Sequence, residues 1–431
     1  MPTRNAVEYT LQHLMKVAFP NRFCPVTIAE NNVTAKVADY QLCFPLMDKA
    51  AFLKMLEGKL PPEILKSPTG NEVPAFRCIE REGSYLVDEK EITLFFDFIS
   101  LSFLMLSRAE ELFEAERDAH GRYLFKNSVA AKYNFIDLPI VDEYALIIRS
   151  IVQKEIPDFQ VSPRKSNFIS THDIDLISRF GKTYANLHTL AADLFKYRDW
   201  KQFCTSVAQY HACRRDELKD PYILSAQMLL EKDMEAKRQS LFFLKSLRAG
   251  DEDATYDIFG TQAAHLIRTV EGRGGKIGLH GSYPSFNQSS SFTKEKIYLE
   301  NVSGHPISSG RQHFLRFDIK KTPAIWQDAS LTDDYTLGYA EREGFRCGTC
   351  HPYHLYDVQK DVPLNVMEHP LIAMDGTFFQ YQNYTIEEAL RKIQQLKATC
   401  EAVEGDFILL WHNTFVWREF APWYEGVFCK L

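Results

Sequence analysis

Past residue 167 the apolar positions follow two alternating periods. Residues 168–170, 240–244, 276–279, 335–339 and 407–411 are apolar runs of strand length, whereas 224–236, 260–271 and 386–403 carry helical spacing. The last helix is the clearest. Thr385 and Glu388 form a capping box ahead of it, and Ile386, Ala389, Leu390, Ile393, Leu396 and Cys400 make one apolar face. Strands alternating with helices predict a parallel sheet with helical crossovers, either open or closed into a barrel. Before residue 160, short apolar runs mix with a helical segment near 103–117, which predicts a smaller α+β unit. The polar, proline-bearing stretch 157–167 reads as a linker between an N-terminal domain over 1–160 and an α/β domain over 165–431. The longest apolar run, 92–106, is broken by Asp97. It falls short of the roughly 20 residues that a membrane span needs and reads as buried core.

The strand ends carry the chemistry. The first strand runs into Ser170-Thr171-His172-Asp173-Ile174-Asp175. Side chains alternate along a strand, so Asp173 and Asp175 fall on the same side of the backbone. Two carboxylates that close repel unless a cation lies between them or one takes a proton. A divalent metal with a neighbouring general base is the sharp reading, and a strand-to-helix turn with an Asp N-cap is the plain one. Two further strands end in His280 and His412. One histidine after a strand is usually structural. Three metal-capable strand ends in one domain fit the mouth of a parallel α/β fold, where the C-terminal ends of strands converge.

Composition narrows the class. The 431 residues carry a net charge of −7 and no basic tail, which argues against a nucleic-acid surface. Phe (31) and Tyr (20) are abundant enough for a large core or for sugar-stacking clefts. The N-terminus shows no apolar signal core, and nine cysteines are an odd number. Together these predict reduced thiols in a cytoplasmic protein. Cys347-Gly348-Thr349-Cys350 has no second C-x-x-C to complete a zinc site. The charged groups at 107–111 and 118–122 read as a solvated helix face and a turn.

The constellation resembles the polysaccharide deacetylase (NodB-homology) family over residues 165–431. Thr171-His172-Asp173-Ile174-Asp175 is similar to the family's first motif, in which one Asp is the catalytic base and the next binds metal. The resemblance maps the base to Asp173 and the ligand to Asp175, with Ile174 inserted between them and the reverse assignment open. Ile277-Gly278-Leu279-His280-Gly281-Ser282-Tyr283-Pro284 is similar to the second motif, whose two histidines bind metal; His280 matches the first and Pro284 stands in place of the second. His313, in Gly310-Arg311-Gln312-His313, is the nearest replacement. Arg311 falls where the family's arginine orients the base, and His412, in Leu410-Trp411-His412-Asn413, where its general acid lies. Asp333, Asp334 and Trp326 fall near the fourth motif.

The resemblance therefore implies a distorted (β/α) barrel preceded by the smaller α+β domain. It implies a divalent metal, zinc by its donor set, on Asp175, His280 and His313. Asp173, His412 and Arg311 would be catalytic, and the substrate an N- or O-acetylated sugar or glycan. Two other readings stay open: a different metal-dependent C–N amide hydrolase, and a catalytically degenerate glycan-binding protein.

Overall fold

The computed structural model describes residues 1–29, 32–180, 200–254 and 256–431. The N-terminal half opens with a helix, Arg4–Ala18, whose first turn is capped by Thr3 accepting from the Ala6 N–H at 3.1 Å. Seven short strands follow: β1 (Val26–Ala29), β2 (Asn32–Val37), β3 (Tyr40–Phe44), β4 (Glu63–Lys66), β5 (Glu72–Ala75), β6 (Tyr85–Asp88) and β7 (Glu91–Leu94). Among the described residues β1-β2-β3-β7-β6 form a five-stranded sheet, and β4-β5 a hairpin beside it. The apolar run 92–106 is split between β7 and the helix Ile99–Ser107, every residue of which is buried. Asp97 is itself fully buried and accepts from the Ile99 and Ser100 N–H groups at 2.9 and 2.8 Å. The charge that interrupts the run thus satisfies the free donors of the helix start.

Residues 157–167 are irregular. Beyond them lie β8 (Phe168–Ile174), β9 (Gln239–Leu244), β10 (Lys276–Gly281), β11 (Ser309–Gln312), β12 (Asp333–Asp334), β13 (Tyr353–Asp357), β14 (Val362–Glu368), β15 (Ala373–Met374) and β16 (Phe407–Leu410). Among the described residues they make one sheet in the order β13-β14-β12-β11-β10-β9-β8-β16-β15, parallel throughout except for β13-β14. The helices Thr261–Gly272, Ser289–Ser303, Thr322–Asp328 and Ile386–Ala402 supply crossovers between successive strands. The predicted capping box is present on the last of these.

The ladders leave the sheet open, so a closed barrel is not what they show. Between β14 and β15, however, His369 and Leu371 donate to the Asp334 and Leu337 carbonyls, and Ile372 donates to Ile408. One run of chain therefore bonds towards both ends of the strand order. Both faces of the sheet are buried. Phe242, Leu244, Phe407 and Leu409 point into the main core, while Leu241, Phe243, Ile408 and Leu410 alternate into a second, smaller cluster with Leu371 and Met374. Gly278 permits this inner packing, because a Cβ there would lie 2.6 Å from the Phe243 ring.

Three local expectations change. Residues 335–339 are not a strand; the ladder ends at Asp334 and the chain then turns irregular. The helix expected near 103–117 stops at Ser107, where Arg108 takes a left-handed conformation. The charged group after it is not solvated. Arg108, Glu110 and Glu111 are buried, and Arg108 and Arg346 pair with those two glutamates across the two halves of the chain. The main hydrophobic cluster is likewise continuous from Ala6 to Phe428. Among the described residues, no helix is long and apolar enough to cross a membrane.

Candidate metal centre

Adjacent parallel strands each deliver a polar group just past their C-terminal ends. In sheet order these are His313 after β11, His280 within β10, Lys245 after β9, Asp173 on β8 and Asp175 just after it, His412 after β16 and Asp375 after β15. All except Lys245 and Asp375 were legible as candidates in the sequence. His172, between Ser170 and Asp173, faces away and is fully buried against Asp233 and the Trp411 carbonyl.

The donor atoms of Asp175, His280 and His313 all lie within 4.8 Å of one another. Asp175 Oδ1 is 3.3 Å from His280 Nε2 and 3.4 Å from His313 Nε2. His280 Nδ1 donates to the Arg311 carbonyl at 3.1 Å, and burial pushes the ring towards its neutral form. Its Nε2 lone pair therefore faces Asp175, with Asp173 Oδ2 3.7 Å away. Both His280 Nε2 and Asp175 Oδ1 are buried without a hydrogen-bond partner. The Lys245 ammonium lies 3.1 Å from Asp175 Oδ1 but leaves the His280 Nε2 lone pair facing that oxygen, and two imidazoles with a carboxylate are a donor set that fits a divalent ion.

Each donor is held from behind. His313 Nδ1 donates to Asp253 Oδ1 at 2.9 Å, the carboxylate–histidine arrangement that orients metal-binding rings. Asp253 is fixed in turn by the N–H groups of Gly250 and Tyr283. Burial opposes charge on His313, but Asp175 and Asp253 outweigh it and pull the ring's pKa up, against the nearby Lys245. Asp175 is held well below the usual carboxylate range despite its burial, by His280, His313 and Lys245.

Asp173 stands apart from the triad. Arg311 is completely buried; its Nη1 donates to Asp173 Oδ1 at 3.0 Å and to Thr171 at 2.9 Å, and its Nε to the Tyr335 carbonyl at 2.8 Å. Burial would raise Asp173, but the rings of His280 and His412 and the Arg311 guanidinium reverse the effect and keep it ionised. His412 Nδ1 donates to Asp375 Oδ1 at 2.8 Å, its backbone N–H donates to Asp375 Oδ2 at 2.7 Å, and its Nε2 points to within 3.7 Å of Asp175. Burial disfavours charge on this ring, yet Asp375, Asp175 and Asp173 push it up to about 9.

The residues expected near the fourth motif lie elsewhere. Asp334 is the cross-strand partner of Glu368, and burial pushes it up to about 7. Trp326 is fully buried, its ring 5.1 Å from Phe292. Asp375 holds the position beside His412 instead. Pro284 lies outside the cluster, and Cys347 and Cys350 are buried in the main core.

The cluster opens into a cavity of about 190 Å³ walled by Phe314, Tyr381, Phe415 and Arg122. Arg122 comes from the N-terminal half. It bonds Asp118, the Phe314 carbonyl and the Tyr381 hydroxyl at 2.6, 3.2 and 3.1 Å.

Residues 2–157 match a family of unknown function, DUF7033. No curated protein matches the chain. Among solved structures, similarity is found to a Mycobacterium smegmatis protein described provisionally as a polysaccharide deacetylase. It is 15% identical, has a TM-score of 0.39, and covers 63% of this chain and 86% of that one. A second is a mutant of a CE4 family pseudoenzyme with restored enzymatic activity, at 9% identity, a TM-score of 0.30 and 58% coverage of each chain.

Proposed function

We propose that the chain is a metal-dependent hydrolase that removes an acetyl group from an N- or O-acetylated carbohydrate. The observation that carries the reading is the cluster of Asp175, His280 and His313, whose donor atoms lie within 4.8 Å of one another, with the buried His280 Nε2 left without a hydrogen-bond partner. Asp175, His280 and His313 would hold the ion, zinc by its ligand types. Once bound, a divalent ion supplies Lewis acidity, polarising an acyl carbonyl and acidifying water.

The chain's own groups divide the proton work between them. Asp173, kept ionised by Arg311, accepts the proton of the attacking water. His412, charged and steadied by Asp375, protonates the departing amine or alcohol on the other side. One carboxylate held low and one imidazole held high form the base–acid pair that such a hydrolysis needs. Residues 1–160 are read as a domain that walls the pocket, and 165–431 as the catalytic domain, a distorted barrel in outline. The Lys245 ammonium among the donors favours a second reading, a glycan-binding protein with no metal. Zinc content of the purified full chain, with acetate release from a panel of acetylated sugars before and after chelation, tests the proposal. Bound zinc and chelator-sensitive release support it; neither zinc nor release sinks it and favours the binding protein.

A further inference from the structure

Lys245 directly follows β9, and its side chain is 3% exposed. Its Nζ lies 2.9 Å from His313 Nε2, 3.1 Å from Asp175 Oδ1 and 3.8 Å from Asp253 Oδ1. An ammonium has donors only, so in the neutral form of the ring His313 Nε2 is the acceptor at this distance. That assignment agrees with the other side of the ring, where Nδ1 donates to Asp253. A neutral imidazole nitrogen has a single in-plane lone pair. While that pair accepts from Lys245, it is not available to a metal. An ammonium and a dication at one carboxylate oxygen also repel.

Resting on the metal-centre reading above, we propose that Lys245 is a resident cation that competes with the divalent ion for Asp175 and His313. Loading the site requires its ammonium to leave His313. Only His280 escapes this competition, because its Nε2 has no hydrogen-bond partner. His280 would offer its lone pair without displacing the lysine, whereas Asp175 and His313 would give theirs up fully only as the ammonium withdraws. Asp253 gives the ammonium somewhere to go. Its Oδ1 is already 3.8 Å away, and its carboxylate is anchored by the Gly250 and Tyr283 N–H groups. The displaced charge remains paired within the same pocket. The site is therefore built to bind its ion more weakly than three donors alone would allow, and to keep a positive charge at Asp175 when the ion is absent.

The test is a zinc titration of the full chain against a chromophoric chelator, for the parent, Lys245→Met and Lys245→Gln. Removing a hydrogen bond to a charged donor, together with like-charge repulsion, should tighten zinc binding by about ten- to a hundredfold in both variants. A crystal structure of the zinc-loaded parent should place Lys245 Nζ more than 3.5 Å from His313 Nε2. Zinc binding in well-folded variants that equals or falls below the parent's overturns the proposal. So does a loaded parent in which the ammonium stays on His313, a readout that needs no variant to fold. If the parent binds zinc and the variants bind it no better, only the role of Lys245 falls. If parent and variants alike bind none, the metal centre itself falls.

Discussion

Replacing Asp375 by Asn tests what sets the charge on His412. The carboxylate grips this residue twice, at Nδ1 and at the backbone N–H. The rise from an ordinary 6.5 to about 9 corresponds to about 3.4 kcal/mol of preference for the charged ring in the folded protein. The side chain is 17% exposed, so solvent screening takes little from that figure. Burial works against the charged form, and Asp375 is the largest of the groups that overcome it, ahead of Asp175 and Asp173. Asp375→Asn keeps the shape and removes the charge. In chelator-treated protein with labelled histidines, NMR titration should show His412 at least one pH unit below the parent, a loss of about 1.4 kcal/mol. Stability should follow with the matching sign. A ring whose folded-state pKa is raised stabilises fully below its unfolded value near 6.5, and that contribution disappears as pH rises through about 9. Denaturant unfolding of the metal-free parent should therefore weaken between pH 6.5 and 9, and Asp375→Asn should flatten this decline. An unchanged His412 midpoint in the variant would show that Asp375 is not the source of the charge.

Asp173→Asn should lower turnover by about 10²- to 10⁴-fold with zinc retained, whereas Asp175→Ala should lose both; zinc analysis showing the opposite pattern would exchange the two roles. His313→Ala should weaken zinc binding more than tenfold by chelator competition, while Pro284→His should not strengthen it, since Pro284 lies outside the cluster. Gly278→Ala places a methyl 2.6 Å from the Phe243 ring and 2.9 Å from the Ser309 carbonyl. It should cost about 1–3 kcal/mol of stability, and an unchanged thermal midpoint would show that β9 and β10 part without strain.

The parts of the site that were legible in the sequence lie on strands long enough to show a pattern. β8 and β10 have seven and six residues, and Asp173 and His280 near their ends, with Asp175 immediately after β8, stand out against apolar neighbours. Asp375 follows β15, which has only two residues and no period to read. Lys245 did carry the same signal, a charge immediately after an apolar strand, but a lysine among presumed metal ligands had no place in a metal motif. Asp253 lies in an irregular loop and acts only through His313, a link that spacing does not encode. The helix Ile386–Ala402 could be read almost to the residue, because its cap and its apolar stripe agree. The N-terminal sheet, made of strands of four to six residues, left no such trace. The buried Arg108–Glu111 group misled for the opposite reason, since charges side by side in sequence normally sit in water.

Arg122 reaches across from the N-terminal half to hold Phe314 and Tyr381 in place. On the proposed reading the N-terminal half adds Arg122 to a pocket whose other lining residues all lie beyond residue 165. A shortened protein keeping only the large sheet would retain every metal donor yet lose a wall of its pocket, along with the apolar surface that the first 160 residues cover. On that reading, Arg122→Ala in the full chain would change the shape of the pocket while leaving Asp173 and His412 in place.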